Sequence, residues 1–176
     1  GSSGNWDRVP TGTFPTCSTF SGVGMTKFAS FNFKSGTKSI MVSPSLELPK
    51  DSYSVSFWMF RDNGYSTNND MINIYYNNSS DLNGAELLGS VSRYYLSSPV
   101  EATANLWYKY EFALPEGSAG SGRYIIIEGV SAYGNNIFLD EFVVREPSSM
   151  NGFVLDFDGN PIEWVLVEKV GGINVY

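Results

Sequence analysis

Asp140 is the acidic residue whose neighbours in the sequence are least suited to a free charge. It lies in the apolar segment 137–145, and strand geometry would place Phe138 and Phe142 on the same face as Asp140. A carboxylate among apolar neighbours is unfavourable unless it accepts hydrogen bonds, meets a cationic side chain or binds a metal ion. The sequence therefore predicts that Asp140 has a specific partner.

A calcium ion is one candidate for that partner. The chain has no histidine, so oxygen atoms are the ligands on offer, and Ca²⁺ prefers oxygen ligands. Asn135, Asn136 and Asp7 would supply the further ligands of this site. The alternative is a carboxylate at the rim of the fold that accepts backbone N–H groups or pairs with Lys or Arg, and the sequence leaves both possibilities open.

A second group of residues could bind a ligand by stacking. Six tyrosines lie in or beside segments rich in Asn and Ser: Tyr65, Tyr75, Tyr76, Tyr94, Tyr95 and Tyr133. A tyrosine ring is rigid and amphipathic, so it can stack on a sugar ring or fill a groove in a protein. We predict that these six form the ligand-binding surface. The alternative is that half of them belong to the core or to strand edges.

The composition argues against several classes of function. With no histidine, the chain lacks the commonest general base and every imidazole metal ligand. The 11 basic and 18 acidic residues give a formal net charge of −7, without the basic surface that nucleic acid requires. Cys17 is the single cysteine, so no disulfide forms within the chain. No apolar run approaches the roughly 20 residues of a membrane-spanning helix.

Short blocks of alternating apolar and polar residues recur along the chain and predict β-strands. The clearest block runs from Tyr53 to Phe60, where Val55, Phe57 and Met59 point to one face together with Tyr53. The other predicted strands cover residues 38–42, 71–76, 85–91, 108–114, 123–128 and 137–145. Seven or more such strands bury their apolar faces best as two stacked sheets, so we predict an all-β sandwich.

A short linker divides the chain. Residues 146–149 contain proline and serine, and the alternating pattern restarts after them. We therefore assign residues 1–147 to the sandwich domain, and residues 148–176 to a linker and the truncated start of a second β module. That second stretch is long enough for one β-hairpin, around a turn at residues 158–161.

Six blocks of the sequence resemble, in order, the cleaved-adhesin or MAM-like jelly-roll domains. These blocks are SGVGMTKFAS (21–30), SIMVSPSLELP (39–49), YSVSFWMFRD (53–62), DMINIYYNN (70–78), LWYKYEFALP (106–115) and YIIIEGVSAYGNNIFLDEF (124–142). The resemblance implies a jelly-roll β-sandwich of two antiparallel sheets, an extracellular or cell-surface location, a role in adhesion or ligand binding, and often bound calcium. The tail NGFVLDFDGNPIEWVLVEKV (151–170) is similar to the first hairpin of carboxypeptidase-regulatory-like domains.

These observations predict a non-catalytic binding module of a secreted or cell-surface protein, working beside other domains of the same polypeptide. Its ligand would be a glycan or a host or matrix protein, with no nucleic acid and no insertion into a membrane. The alternative is a carbohydrate-active enzyme, because jelly rolls can hold two catalytic carboxylates about 5 to 9.5 Å apart. No Glu-x-Asp-x-Glu strand supplies such a pair. A structural spacer is the third hypothesis.

Overall fold

The structure, a computed structural model, describes residues 6–30, 34–100, 103–146 and 157–158. The strands within these ranges are β1 (Trp6–Val9), β2 (Thr11–Gly12), β3 (Cys17–Ser18), β4 (Met25–Phe28), β5 (Lys38–Val42), β6 (Leu46–Leu48), β7 (Ser54–Arg61), β8 (Met71–Asn77), β9 (Glu86–Ser92), β10 (Leu106–Ala113), β11 (Gly120–Val130) and β12 (Ile137–Arg145). No α-helix occurs in these ranges, and therefore none that could span a membrane. The hairpin predicted after residue 148 lies outside the described residues, apart from residues 157 and 158.

The strands form two antiparallel sheets that stack as a jelly-roll β-sandwich. The first sheet has the strand order β1-β4-β12-β7-β10, and the second has the order β5-β11-β8-β9, with β6 also paired to β11. Strands β2 and β3 make a separate small hairpin. The predicted all-β fold of two antiparallel sheets is therefore confirmed, and the predicted bounds of β5 and β12 match the structure.

The core lies between the two sheets and is built by every second residue of their central strands. Val55, Phe57 and Met59 of β7 pack in one cluster with Ile72 and Ile74 of β8, and all five are buried. Because successive side chains of a strand point to opposite faces, these residues leave the alternate ones facing outward. The inward face predicted for the block around Phe57 is confirmed.

The segment 10–24, which we call the N-terminal strap, covers the outer face of the first sheet. The ring of Phe20 stacks on that of Trp58, with 3.9 Å between centroids and 18° between planes. The indole N–H of Trp107 donates to the carbonyl oxygen of Ser18 at 3.0 Å. The second apolar cluster, on this outer face, contains Met25, Phe60 and Phe138. The sequence predicted none of β1 to β4, because strands of two to four residues are too short to show an alternating pattern.

A β-bulge in β12 separates two residues that were predicted to share a face. The register of β12 on β7 shifts between Asp140 and Val143, so that Glu141 and Phe142 together lie opposite Phe57. Glu141 adopts a left-handed conformation with φ of 49°. Phe142 turns inward, with its ring centroid 5.0 Å from that of Phe57, whereas Asp140 stays on the outer face. The expectation that Phe142 and Asp140 share a face is therefore wrong.

Replacing Phe57 by alanine should lower the free energy of unfolding by about 3 to 5 kcal/mol, because the ring is fully buried and would leave a cavity. This loss is a large part of the free energy of unfolding of a typical domain, which is roughly 5 to 15 kcal/mol. Chemical denaturation measures the change. Val143→Ala, at an exposed position of the adjoining strand, should shift the free energy by no more than about 0.5 kcal/mol. Equal midpoints for the two variants would contradict the assignment of the inner face.

Candidate functional site

Three loops meet at one end of the sandwich, which we call the loop end. They follow β7, β9 and β11 and comprise residues 62–70, 93–100 and 131–136. They lie together because β8 begins where β9 and β11 end, with Met71 paired to both Ser92 and Val130. Four of the six predicted ligand-binding tyrosines belong to these loops.

Arg93 connects the loops from inside the protein. Its side chain is fully buried, and its Nη1 atom donates to both carboxylate oxygens of Asp62 at 2.8 Å. Nε donates to Asp70 at 3.0 Å, and Nη2 donates to the carbonyl oxygens of Tyr65 and Asn68 at 3.3 and 3.4 Å. Charge-assisted bonds of this kind are stronger and more directional than neutral ones. Arg93 therefore holds both ends and the middle of loop 62–70.

Asp70 anchors the loop that follows β11. Its Oδ1 atom accepts hydrogen bonds from the backbone N–H groups of Ala132 and Gly134, at 2.7 and 3.1 Å, and from the hydroxyl of Ser30. A side chain at position 134 would collide with the Asp70 carboxylate, so this position requires glycine. Loop 131–136 is thus fixed to the same carboxylate that holds Arg93.

Asp62 joins the same two loops at a second point. Its Oδ1 atom accepts hydrogen bonds from the Asn135 side chain at 2.9 Å and from the N–H of Gly64 at 2.7 Å. Close by, the Asn68 side chain donates to the carbonyl oxygen of Ala132 at 2.6 Å. Loops 62–70 and 131–136 are therefore in direct contact along their length.

Arg61 fixes loop 93–100 by a different arrangement. The side chain is fully buried and donates to the carbonyl oxygens of Tyr94, Ser97 and Pro99 at 2.6 to 2.8 Å, and to the hydroxyl of Tyr110 at 2.9 Å. The residues 61, 62, 70 and 93 thus bury two guanidinium groups and two carboxylates, whose formal charges cancel. That balance matters because an unpaired buried charge is strongly destabilising.

Tyr65 and Tyr133 project from these fixed loops and are 53% and 56% exposed. Their backbones lie in the left-handed region, with φ of 47° and 64°. That conformation costs a non-glycine residue about 1 to 3 kcal/mol and persists only where the surroundings impose it. Arg93 binds the carbonyl oxygen of Tyr65, and the N–H of Tyr133 donates to Ser131 Oγ at 3.1 Å. The loop end therefore presents two exposed tyrosines in fixed backbone conformations.

The remaining predicted tyrosines divide into two groups. Tyr94 and Tyr95 are half-buried at the loop end, with their rings stacked 5.9 Å apart at 28°. Tyr75 is half-buried on the outer face of the second sheet. Tyr76 is a buried core residue whose hydroxyl donates to the Ser118 carbonyl oxygen at 3.3 Å, so its inclusion in a ligand-binding surface is wrong.

Asp140 has the specific partner that the sequence predicted, and this partner is the N-terminal strap. Its Oδ2 atom accepts the backbone N–H groups of Phe20 and Ser21 at 2.9 and 3.0 Å. The Ser21 hydroxyl lies 3.1 Å from both carboxylate oxygens, and the N–H of Glu141 donates to Oδ1 at 2.9 Å. Asp140 therefore accepts backbone N–H groups, as in the alternative to calcium that the sequence left open.

The four residues predicted to bind calcium are engaged by different partners. Asp7 pairs with Lys27 at 3.2 Å, Asn135 donates to Asp62, and the Asn136 side chain donates to the Thr13 carbonyl oxygen at 2.9 Å. Within the described ranges, no three acidic or cysteine side chains are grouped as metal ligands. The geometry around Asp140 does not fit a calcium ion, because N–H and O–H donors are directed at its oxygens. Calcium binding stays a prediction without geometric support.

The residues predicted from the sequence do not include Arg61, Asp62, Asp70 and Arg93. A signal was present, since each of these charged residues stands at the junction between a strand and a loop at the same end of the sandwich. Charged residues beside strand ends are ordinarily solvated, however. The positions of the loops are therefore needed to tell that these four residues are buried.

Searches of the sequence against protein-family models and against curated proteins give no match. Comparison of the fold does give matches. The K1 cleaved adhesin domain of Lys-gingipain from Porphyromonas gingivalis W83 is similar with a TM-score of 0.57 and 13% identity, over 82% of this chain and 92% of that chain. The K3 domain of the same protein gives 0.52 and 18%, over 81% and 91%.

A third similar structure is TmCBM61 in complex with β-1,4-galactotriose, with a TM-score of 0.55 and 14% identity, over 82% of this chain and 84% of that chain. At these identities the comparison is one of fold. The chain has the jelly-roll β-sandwich fold of the cleaved adhesin domains, as the sequence resemblance implied, and shares that fold with TmCBM61.

Replacing Arg93 by alanine should lower the free energy of unfolding by about 3 to 5 kcal/mol, because two buried carboxylates lose their cation. Arg8→Ala is the control, since Arg8 is exposed and bonds the carbonyl oxygen of Val23, so its loss should change stability by less than about 1 kcal/mol. Denaturant titrations of both variants provide the measurement. A wild-type midpoint for the Arg93 variant would show that the network is not formed as described.

Replacing Asp140 by asparagine should destabilise the protein by about 1 to 3 kcal/mol, because the new amide group would face N–H donors of the strap. The loss should be the same in millimolar calcium and in chelator, and thermal melts in the two buffers measure it. Asp7→Asn, on an exposed ion pair of the same sheet, should have a much smaller effect. A calcium-dependent part of wild-type stability that vanishes in the Asp140 variant would support the calcium site instead.

Proposed function

We propose that this chain is a non-catalytic glycan-binding module of an exported protein and that its loop end holds the ligand. The observation that carries the proposal is the pair Tyr65 and Tyr133. Both are exposed, both have constrained left-handed backbones, and both loops are fastened to one buried ion network. Fixing the loops before binding reduces the conformational entropy that binding would otherwise cost.

The size of the aromatic surface favours a sugar over a protein as the ligand. A fully buried tyrosine accounts for about 150 to 250 Å², and Tyr65 and Tyr133 are about half exposed, so the two together offer roughly 160 to 270 Å². A stable protein interface needs about 800 Å² on each side. The apolar face of a tyrosine ring packs against sugar C–H groups, while its hydroxyl and the exposed side chain of the neighbouring Asn63 can bond sugar hydroxyls. The same fold in TmCBM61 accommodates β-1,4-galactotriose, which supports the ligand class.

The carboxylates at the loop end support a non-catalytic role. A glycosidase needs two carboxyl groups that reach the substrate from opposite sides of the scissile bond. Asp62 and Asp70 are buried, and both are bound to Arg93. Their position suits them to hold loops and not to transfer protons to a ligand. An extracellular location and further domains in the parent polypeptide belong to the same proposal, and the fold shared with gingipain adhesin domains supports both.

Replacing Tyr65 and Tyr133 by alanine, singly, should weaken glycan binding at least tenfold, which corresponds to about 1.4 kcal/mol for each ring. Affinity electrophoresis against a panel of neutral polysaccharides, including galactan and xylan, provides the measurement. Tyr65→Phe and Tyr133→Phe keep the ring and should retain most of the affinity. Val23→Ala, an exposed apolar control on the strap, should bind as the wild type does.

Two results would contradict the proposal. Release of reducing ends from any polysaccharide at catalytic rates would mean that the module is an enzyme. Wild-type affinity in both alanine variants would move the binding surface away from the loop end.

A further inference from the structure

We infer that two copies of this chain associate through strand β10, which pairs with β10 of the second copy in an antiparallel register centred on Tyr110. The contact lies at the side of the sandwich and uses none of the loop-end residues, so it is independent of the proposed function.

Strand β10 is an edge of the first sheet and directs half of its backbone groups outward. Within the described residues, its one neighbour in the sheet is β7. The N–H of Leu114 donates to the carbonyl oxygen of Tyr53 at 2.8 Å, one residue beyond the pair of Ala113 with Ser54. Because hydrogen-bonded and non-hydrogen-bonded pairs alternate along an antiparallel ladder, the even-numbered residues of β10 bond β7. The odd-numbered residues direct their N–H and C=O groups away from β7: Trp107, Lys109, Glu111 and Ala113.

Strand β10 lacks the features by which other edges of this sandwich discourage pairing. It extends for eight residues in continuous register with β7 and contains neither proline nor glycine. By comparison, β1 has four residues and β5 has five, and the register of β9 on β8 is shifted by a bulge. Edges that are short, bulged or interrupted by proline accept another strand poorly. Among these edges, β10 is therefore the one best formed to accept a strand.

Lys109 and Glu111 select the register of the pairing. Both side chains lie on the outer face of the sheet and both are exposed. In a two-fold antiparallel pairing centred on Tyr110, Lys109 of each copy lies opposite Glu111 of the other. A register centred on Lys109 or on Glu111 would instead place two like charges opposite each other, which is destabilising. The charges therefore favour the register centred on Tyr110, which forms two pairs of opposite charge.

The same register pairs the backbone groups that β7 leaves unused. Odd-numbered residues lie opposite odd-numbered ones, so Trp107 is opposite Ala113 just as Lys109 is opposite Glu111, and each pairing occurs twice. Four such pairs, with two bonds each, give about eight backbone hydrogen bonds. The Trp107 ring packs edge-on against Phe60, 5.6 Å between centroids, and the small Ala113 side chain opposite leaves room for it.

Glu111 is positioned and ionised for this contact. The Ser54 hydroxyl donates to its Oε1 atom at 2.7 Å, and Arg145 Nη2 lies 3.4 Å from its Oε2 atom. The hydrogen bond from Ser54, aided by the charges of Arg145 and Lys109 and outweighing the effect of burial, lowers the pKa of Glu111 below its usual 4.5. At neutral pH the residue therefore carries the charge that attracts Lys109 of the second copy.

The dimer would have its two loop ends at opposite ends, because the strands that join the copies run antiparallel. One clause of this consequence rests on the proposed function: if the loop end binds a glycan, the dimer links two separate polysaccharide chains. Two sites that point apart cannot both engage one short ligand, so dimerisation would not tighten the binding of a trisaccharide.

The test is sedimentation velocity of the full chain from micromolar to submillimolar concentration, where the wild type should pass from monomer to dimer. Lys109→Glu and Glu111→Lys should each weaken self-association at least tenfold, because each places like charges opposite each other. An equimolar mixture of the two variants should form a heterodimer as readily as the wild type dimerises, since both pairs are again of opposite charge. Lys34→Glu, at an exposed position outside β10, controls for the change in net charge.

Amide hydrogen exchange tests the strand directly and carries the test if Glu111→Lys fails to fold. In the wild type, the N–H groups of Lys109 and Glu111 should exchange more slowly as the concentration rises, whereas those of Tyr108 and Phe112 should be protected throughout. In Lys109→Glu, the dependence on concentration should disappear.

Several results would overturn the inference. These are a wild type that stays monomeric at every concentration, a dimer that both charge variants leave unchanged, and a mixture that does not associate. Protection of Lys109 and Glu111 that does not depend on concentration would assign the edge to another segment of the same chain. None of these results bears on the loop end, because glycan binding by the monomer is measured separately and should be unchanged in Lys109→Glu.

Discussion

The ion network of Arg93 with Asp62 and Asp70 is the constraint on which the loop end depends. A buried ion pair contributes little net stability compared with apolar packing, but the loss of one partner is strongly destabilising, because the other charge is then left buried and unpaired. Here it fastens loops 62–70 and 131–136 to the first residue after β9. The two loops that present Tyr65 and Tyr133 are held in place by that fastening.

The outer faces of the two sheets differ, because the buried carboxylate of Asp140 binds a segment that covers the first one. Asp140 binds the N–H groups of Phe20 and Ser21, which brings the ring of Phe20 onto Trp58 and covers the first sheet with the strap. On the outer face of the second sheet, Glu128 instead pairs with Lys38 and accepts a hydrogen bond from the Asn73 amide. Acidic side chains thus have three different uses here: to hold loops, to attach the strap, and to link neighbouring strands of the second sheet.

The predictions that succeeded rest on local periodicity. The alternation around Phe57 identified the inner face, and the apolar segments 38–42 and 137–145 identified β5 and β12. Those that failed involve residues whose environment is set by other segments. Tyr75 and Tyr76 are adjacent in β8 and therefore face opposite ways, and the stacking of the two sheets decides that Tyr76 is the one that enters the core. The bulge at Glu141, which moves Phe142 inward, left no mark in the alternating pattern.

Three features follow from the sequence alone: the chain is all-β, one face of β7 enters the core, and Asp140 must have a partner. These follow from a two-residue period and from the cost of burying a charge, both of which are local properties. The tertiary structure sets which partner Asp140 has, since Phe20 lies 120 residues away in the chain. It also decided that Arg93 meets Asp62 and Asp70, because hydrogen-bond partners are chosen by sheet pairing and loop closure and not by spacing along the sequence.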